Sequence, residues 1–353
     1  MRAPRVLAAF ALGLGVLAAL PLQGAAVAER PFAVVDLHVD LSYQHNYRGR
    51  TFAGGSGQFP GGELVRAGVV GVVLPLYVPR RVSPAGPRLE HFEASYARVF
   101  SALARTEPYR LPGCLPRRGG VATWLAFEGA GALAGGAGGG SGAPAAERAL
   151  IAWAARGVRV LGPVHAFTNE LASSSGDAGG ARFGLTPAGR DVMRRAAALG
   201  MALDVSHASD RATREIVVIA RESGAPVVAT HSNARVLADH PRNLADAELR
   251  AIAATGGVVG LNFHSAFLAR GRRATLADAV AHAKHLVRVM GPEHVAIGSD
   301  FEGDVAPPAE LAGPAGYQRL ARALLEAGLS RSSVEGVMSK NALRVLCRAG
   351  GID

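Results

Sequence analysis

Short apolar runs rich in Val, Leu, Ile and Ala recur along the chain, at 32–39, 69–78, 121–127, 158–164, 201–205, 225–229, 257–263 and 294–299. Several are apolar on both faces, which predicts parallel strands covered by helices. Between them the pattern shifts to a helical period, most clearly over 145–156, 186–199, 210–223, 246–254 and 275–290. Pro187 suits the first turn of its helix and Gly200 its stop. Eight such alternations predict a closed (β/α)8 TIM barrel; an open doubly wound sheet is the alternative, and the count of eight favours closure. Two segments break the pattern. Residues 44–62, with Gly49, Gly54, Gly55, Gly57 and a Pro60-Gly61-Gly62 turn, predict a long loop after the first strand. Residues 129–144 are almost wholly Gly, Ala, Ser and Pro and predict a flexible connection. Neither segment has the length or apolar content of a second domain, so one barrel domain is expected over 29–353.

The first 28 residues read differently. Arg2 and Arg5 precede an apolar run from Val6 to Leu22, followed by Gln-Gly-Ala-Ala-Val-Ala with Ala26 and Ala28 at the small-residue positions. That layout predicts a secretory signal peptide cleaved after Ala28, and hence a periplasmic or extracellular protein. The run is at the lower limit for crossing a bilayer, so a retained anchor is the alternative; Pro21, Gly24 and the Ala-Val-Ala end favour cleavage. No later stretch is apolar for long enough to span.

Composition narrows the function. The chain has 353 residues, 49% hydrophobic and 19% charged, enough to bury a full core. A net charge of +10 invites a nucleic-acid reading, but aromatics make up only 6% and the basic residues are scattered. Lys284 and Lys340 are the only lysines. Cys114 and Cys347 cannot build a disulfide framework or a thiolate zinc finger, and nothing in the sequence places them together.

Candidate chemistry collects where the predicted strands end, at the carboxyl face where barrel enzymes work. The first strand carries Asp36-Leu37-His38-Val39-Asp40, and residues two apart on a strand share a face, which pairs His38 with Asp40. The third strand ends in Glu128, the fourth in His165, the fifth in Asp204-Val205-Ser206-His207, the sixth in His231, the seventh in His264 and the eighth in Asp300. A lone His-x-Asp or a single strand-end His is ordinarily structural. An ordered set on this many strands is not, because a barrel core rarely accepts so many ionisable groups unless a cation gathers them. His264 and Asp36 are assigned structural or supporting roles. His282 and His285 are expected on a solvated helix face, and His294 on the opposite face of the barrel.

These residues resemble the membrane dipeptidase (renal dipeptidase) family of the amidohydrolase superfamily. The pieces are Asp36-Leu37-His38-Val39-Asp40-Leu41, Phe127-Glu128-Gly129, Val164-His165, Gly184-Leu185-Thr186-Pro187, Leu203-Asp204-Val205-Ser206-His207, Ala229-Thr230-His231-Ser232, Pro241-Arg242-Asn243, Gly298-Ser299-Asp300-Phe301-Glu302-Gly303 and Asn341-Ala342-Leu343-Arg344-Val345. In this order they cover nearly the whole chain after residue 36. The resemblance implies a (β/α)8 barrel with two zinc ions, manganese or cobalt being the other options. His38 and Asp40 would hold one ion, His207 and His231 the other, with Glu128 bridging them. Neither lysine ends a strand, so a carbamylated lysine bridge, common in the superfamily, is not available. By the same resemblance, two metals sharing a water supply hydroxide to the peptide bond. Asp300 carries the proton to the leaving amine, His165 hydrogen-bonds the carbonyl oxygen, and Arg242 receives the free carboxylate of a dipeptide. A homodimer is also implied.

The chain departs from the family where Glu302 takes the place of a second aspartate in the family's Asp-Phe-Asp-Gly. Tyr43, His45 and Tyr47 are expected to line the substrate cleft. Two readings compete with a zinc dipeptidase: another metal hydrolase on the same scaffold, acting on an N-acyl amino acid, a lactam or a phosphoester, and a catalytically silent secreted binding protein.

Overall fold

The computed structural model describes Met1 and residues 30–83, 88–110, 119–136, 143–177 and 183–348. The expected signal segment and Cys114 lie outside the described residues. Of two compact units the second, Pro31–Asp353, holds every element named below.

Eight parallel strands close on one another: β1 (Val34–Asp36), β2 (Val69–Leu76), β4 (Val121–Glu128), β5 (Val158–Gly162), β6 (Ala202–Asp204), β7 (Val227–Ser232), β8 (Val258–Leu261) and β9 (Val295–Ile297). β1 pairs with both β2 and β9, and β2 pairs with β4, which completes the (β/α)8 barrel. A further two-residue strand, β3 (Tyr109–Arg110), lies against the start of β4. The helices are α1 (Leu41–Arg48), α2 (Leu89–Leu103), α3 (Ala143–Ala155), α4 (Pro187–Ala198), α5 (Asp210–Ser223), α6 (Asp246–Ala253), α7 (Ser265–Leu268), α8 (Leu276–Met290), α9 (Ala315–Glu326), α10 (Arg331–Glu335) and α11 (Asn341–Arg348). Among the described residues no helix is long and apolar enough to cross a membrane.

Local chemistry explains the helix starts. Thr186 accepts the Gly189 N–H at 3.0 Å ahead of Pro187, and Ser209 accepts the Ala212 N–H at 3.2 Å, so α4 and α5 each begin on a hydroxyl cap.

The core has two layers. Val35, Leu37, Val73, Trp124, Val160, Val228, Val258 and Ala296 fill the lumen together with Ala342, Val345 and Leu346 of α11. A larger cluster packs the outward strand faces against the helices. Asn341 Nδ2 donates to Pro292 O (2.8 Å) and Val295 O (2.7 Å), which pins α11 at the amino-terminal end of the barrel. The carboxyl end is left for chemistry.

Three expectations are corrected here. Part of the predicted loop at 44–62 is helix α1, which buries Leu41, Ser42 and Gln44, and the loop beyond it tucks Phe52 and Phe59 into the core. In the Gly-rich connection, Ala130–Gly136 forms a 3-10 helix and α3 begins at Ala143. His282 and His285 are buried, not solvated. His282 Nδ1 accepts the Ala234 N–H at 3.2 Å and Nε2 donates to Leu268 O at 3.1 Å, while His285 Nε2 meets Asp246 Oδ1 at 2.7 Å. Their side of α8 faces the barrel and the loop after β7.

Candidate metal centre

Three local devices bring the ionisable groups to one mouth. In β4, Ala122, Trp124 and Ala126 face the lumen, and simple alternation puts Glu128 on the same face at the carboxyl end.

In β1, alternation alone would fail. Val35 and Leu37 face the lumen, so His38 would point out towards the helices. The strand instead ends at Asp36, whose Oδ1 accepts the N–H groups of His38 and Ser299, each at 3.0 Å, and whose Oδ2 accepts the Tyr317 hydroxyl at 2.6 Å. The bend sends Val39 to the outer cluster and turns His38 and Asp40 inward.

In β7 a bulge does the work. Ala229 pairs with Val259 and Ser232 with Leu261, so three residues on one strand advance against two on the other. Both Thr230 and His231 consequently face the mouth. His207 and Asp300 follow their strands in left-handed backbone conformation, each with φ of 66°. His and Asp tolerate that region better than most residues, and such outliers gather at functional sites.

Four imidazoles surround one carboxylate oxygen. Glu128 Oε1 lies 3.2 Å from His207 Nε2, 3.7 Å from His38 Nε2, 3.7 Å from His231 Nε2 and 3.9 Å from His165 Nε2. His207 Nε2 and His231 Nε2 are 3.0 Å apart, and His38 Nε2 is 3.5 Å from Asp40 Oδ2. The donors fall into overlapping groups: His38, Asp40 and Glu128; Glu128, His207 and His231; His38, His231 and Asp300. The first two share Glu128, the arrangement of two adjacent cation sites with a common carboxylate. Glu128 Oε1 and His207 Nδ1 are buried without a hydrogen-bond partner, a costly state that a bound cation at the carboxylate would relieve.

The electrostatics fit the same ligand class. Burial raises the Glu128 carboxyl to about 8, against the opposing pull of His38, and burial raises Asp300 to about 7. Burial would lower His38, but the Glu128 and Asp40 carboxylates override it and hold the ring up to about 10. Burial holds His207 and His231 well below the usual histidine range, so both stay neutral with a lone pair to offer, the form in which imidazole binds metals. His165 is lowered to about 4, again by burial.

A cavity of about 310 Å³ opens onto this cluster. It is lined by Asp40, Glu128, His165, His207 and Asp300, with Tyr43, Tyr77, Arg242, His264, Phe267 and residues 303–305 around them. All eight site residues expected from the sequence are therefore brought together: seven are buried, His165 is partly exposed, and His38 and His231 sit behind the lining. Arg242 is buried, donates from Nη2 to His231 O at 3.2 Å and leaves its Nε without a partner. Of the three first-loop residues, Tyr43 lines the cavity, whereas His45 Nδ1 contacts Arg50 O at 2.9 Å and the Tyr47 ring packs near Arg98. Glu302 faces away from the site. Its carboxylate receives the N–H groups of Gln58 (2.6 Å) and Phe59 (2.9 Å) and the Arg50 guanidinium (2.6 Å), tying the first loop down. Tyr77, whose ring lies 4.3 Å from that of His165, was not legible as a site residue. It is the second residue after Pro75 on the inward face of β2, and only that parity signals it.

Fold and donor set define a metallohydrolase built on a TIM barrel. The model of the membrane dipeptidase family, peptidase family M19, matches residues 24–351, and the chain belongs to that family. By family it is a metallo-dipeptidase, a hydrolase of peptide bonds. A Klebsiella pneumoniae protein described only as uncharacterized, from the pqqA 5' region, is 42% identical over 210 residues, 56% of this chain and 75% of its own length. An uncharacterized dipeptidase of Schizosaccharomyces pombe is 35% identical over 191 residues, 54% of this chain but only 46% of that protein. Among solved structures, a metallo peptidase from Rhodobacter sphaeroides, liganded with a phosphinate mimic of the dipeptide L-Ala-D-Ala, superposes with a TM-score of 0.76 at 26% identity, covering 90% of this chain and 99% of its own. The dipeptidase AC, also a metallo peptidase, gives a TM-score of 0.75 at 27% identity over 91% and 99%.

Proposed function

We propose that this protein hydrolyses dipeptides bearing a free C-terminal carboxylate, with two zinc ions as its cofactors. The observation that carries the reading is the Glu128 carboxylate oxygen, buried without a hydrogen-bond partner and within 3.2 to 3.9 Å of four imidazole nitrogens. His38 and Asp40 would hold one ion, His207 and His231 the other, with Glu128 shared between them. When bound, such a pair supplies Lewis acidity and lowers the pKa of water towards neutrality, so that the nucleophile forms near pH 7.

The protein's own residues do the rest. Asp300, raised to about 7 by burial, is poised to take a proton from the attacking water and return it to the leaving amine. His165, neutral at working pH, donates an N–H to the carbonyl oxygen as negative charge develops there. Arg242 offers its unpartnered Nε to the substrate carboxylate, and Phe267 lies against the guanidinium with its ring centroid 5.6 Å from Cζ. A cavity of about 310 Å³ matches two small residues, and the dipeptide mimic held by the Rhodobacter sphaeroides relative supports a ligand of that size. The layout of residues 1–28 supports export as part of the same proposal.

The test is a panel of free dipeptides, their C-terminal amides and N-acyl amino acids, assayed before chelation, after it, and with zinc restored. Free dipeptides should be turned over, amides poorly, and activity should follow zinc. Equal rates on free and blocked dipeptides would remove Arg242 from its assigned role, and preference for N-acyl amino acids would replace the dipeptidase reading.

A further inference from the structure

The Thr230 hydroxyl stands where both halves of the site meet. Its Oγ1 lies 2.7 Å from Asp204 Oδ2, 2.9 Å from His231 Nδ1, 3.3 Å from His38 Nδ1 and 3.2 Å from Ser206 Oγ. A threonine hydroxyl has one proton to give and two lone pairs with which to receive. Asp204 is the acceptor that claims the proton, since its Oδ1 already receives the Ser206 N–H (2.9 Å) and the Thr230 N–H (3.1 Å). Ser206 Oγ in turn receives the His231 N–H at 3.2 Å. The Thr230 lone pairs are left facing the two rings, and each ring must therefore present an N–H at Nδ1. The lone pair of each then sits on Nε2, and both Nε2 atoms lie 3.7 Å from Glu128 Oε1.

We infer that Thr230 is a positioning residue that fixes the ring tautomer of His38 and of His231 together, so that one hydroxyl, anchored by Asp204, prepares a ligand for each of two cations. This rests on the reading that the two rings serve different ions. The bulge in β7 is what makes the arrangement possible, because it turns Thr230 and His231 to the same side. His207 is the contrast within the site: its Nδ1 is buried with no acceptor.

Two measurements on the zinc-loaded full chain test the inference. In the wild-type protein labelled with ¹⁵N-histidine, His38 and His231 should both show a protonated Nδ1. A protonated Nε2 with a bare Nδ1 on either ring overturns it. The second measurement is the rate at which zinc passes to a colorimetric chelator. Thr230→Val keeps the shape and loses the hydroxyl, and it should release both equivalents about 10- to 100-fold faster, the cost of losing a hydrogen bond that orients a metal ligand. Thr230→Ser restores the hydroxyl and should return the rate close to wild type. Faster release of only one equivalent, wild-type release from Thr230→Val, or equal damage from Ser and Val would each overturn the role. If the wild-type chain holds no zinc, the metal-centre reading fails, while the ring tautomers on that same sample still decide whether Thr230 sets them.

Discussion

Asn262 donates from Nδ2 to Asp300 Oδ2 at 2.9 Å, and its Oδ1 accepts the His264 N–H at 2.6 Å. The amide at the end of β8 therefore holds the carboxylate proposed to move the proton. It also lowers the Asp300 pKa against the upward push of burial. Asn262→Leu removes a hydrogen bond to a charged group, an interaction worth about 1.5–3 kcal/mol. The variant should lose roughly 10- to 100-fold in kcat with little change in KM. The acid limb of its rate profile should move to higher pH, because Asp300 then ionises later. A lower KM-side penalty with unchanged kcat would place Asn262 in binding instead.

Glu128→Gln keeps the side-chain shape and removes the shared charge. Zinc retention should fall by more than the roughly 100-fold that loss of an outlying hydrogen bond costs, and turnover should fall with it. Metal analysis and dipeptide assays on one preparation check both. Wild-type activity in this variant would take Glu128 out of the site.

Gly303 sits where no side chain fits. A Cβ there would lie 2.6 Å from Asp40 Oδ2 and 2.7 Å from Asp300 Oδ1. Gly303→Ala should cost about 1–3 kcal/mol of misfit, carried by two carboxylates of the site, and should lower both zinc occupancy and kcat. Gly62→Ala, with no atom within 4 Å of the new methyl, is the matched control and should behave as wild type.

His282 carries a pH dependence away from the metal centre. Burial lowers it to about 4, and its Nδ1 must stay unprotonated to accept the Ala234 N–H. The unfolded chain takes up this proton near pH 6.5, the folded chain only near 4. Stability from this group is therefore complete above about 6.5, falls as pH drops through that window, and levels off below 4, a total of about 3 kcal/mol. Urea midpoints of wild type and His282→Gln between pH 7.5 and 4 should show a shallower acid decline in the variant. Parallel declines would mean that His282 does not titrate in this window.

The barrel was legible in the sequence because parallel strands buried on both sides leave long apolar runs, such as the one at 69–78 that becomes β2, and because helices between them carry their own caps at Thr186 and Ser209. The strand-end rule also located Glu128 for the right reason, since β4 alternates regularly to its last residue. His38 and Asp40 were placed correctly on an incomplete argument: they share a face, but they reach the lumen only because Asp36 ends the strand and shifts the alternation. Asp36 itself, assigned a supporting role, is the residue that makes the turn. Thr230 was invisible because a bulge depends on the register of two strands, which one strand's sequence does not contain. His282 and His285 misled because three-residue spacing on a helix says that two side chains share a face, not which face is covered. Glu302 misled by analogy of position: two acids two residues apart end on opposite tasks, Asp300 at the cavity and Glu302 on the loop that carries Phe59.

The most direct measurement is the metal content of the purified full chain, set against its dipeptidase rate as zinc is withdrawn and returned. The account predicts about two zinc ions per chain, activity lost on exhaustive chelation and recovered in proportion to the zinc restored. A folded chain that holds no divalent metal yet cleaves dipeptides at an undiminished rate would contradict it.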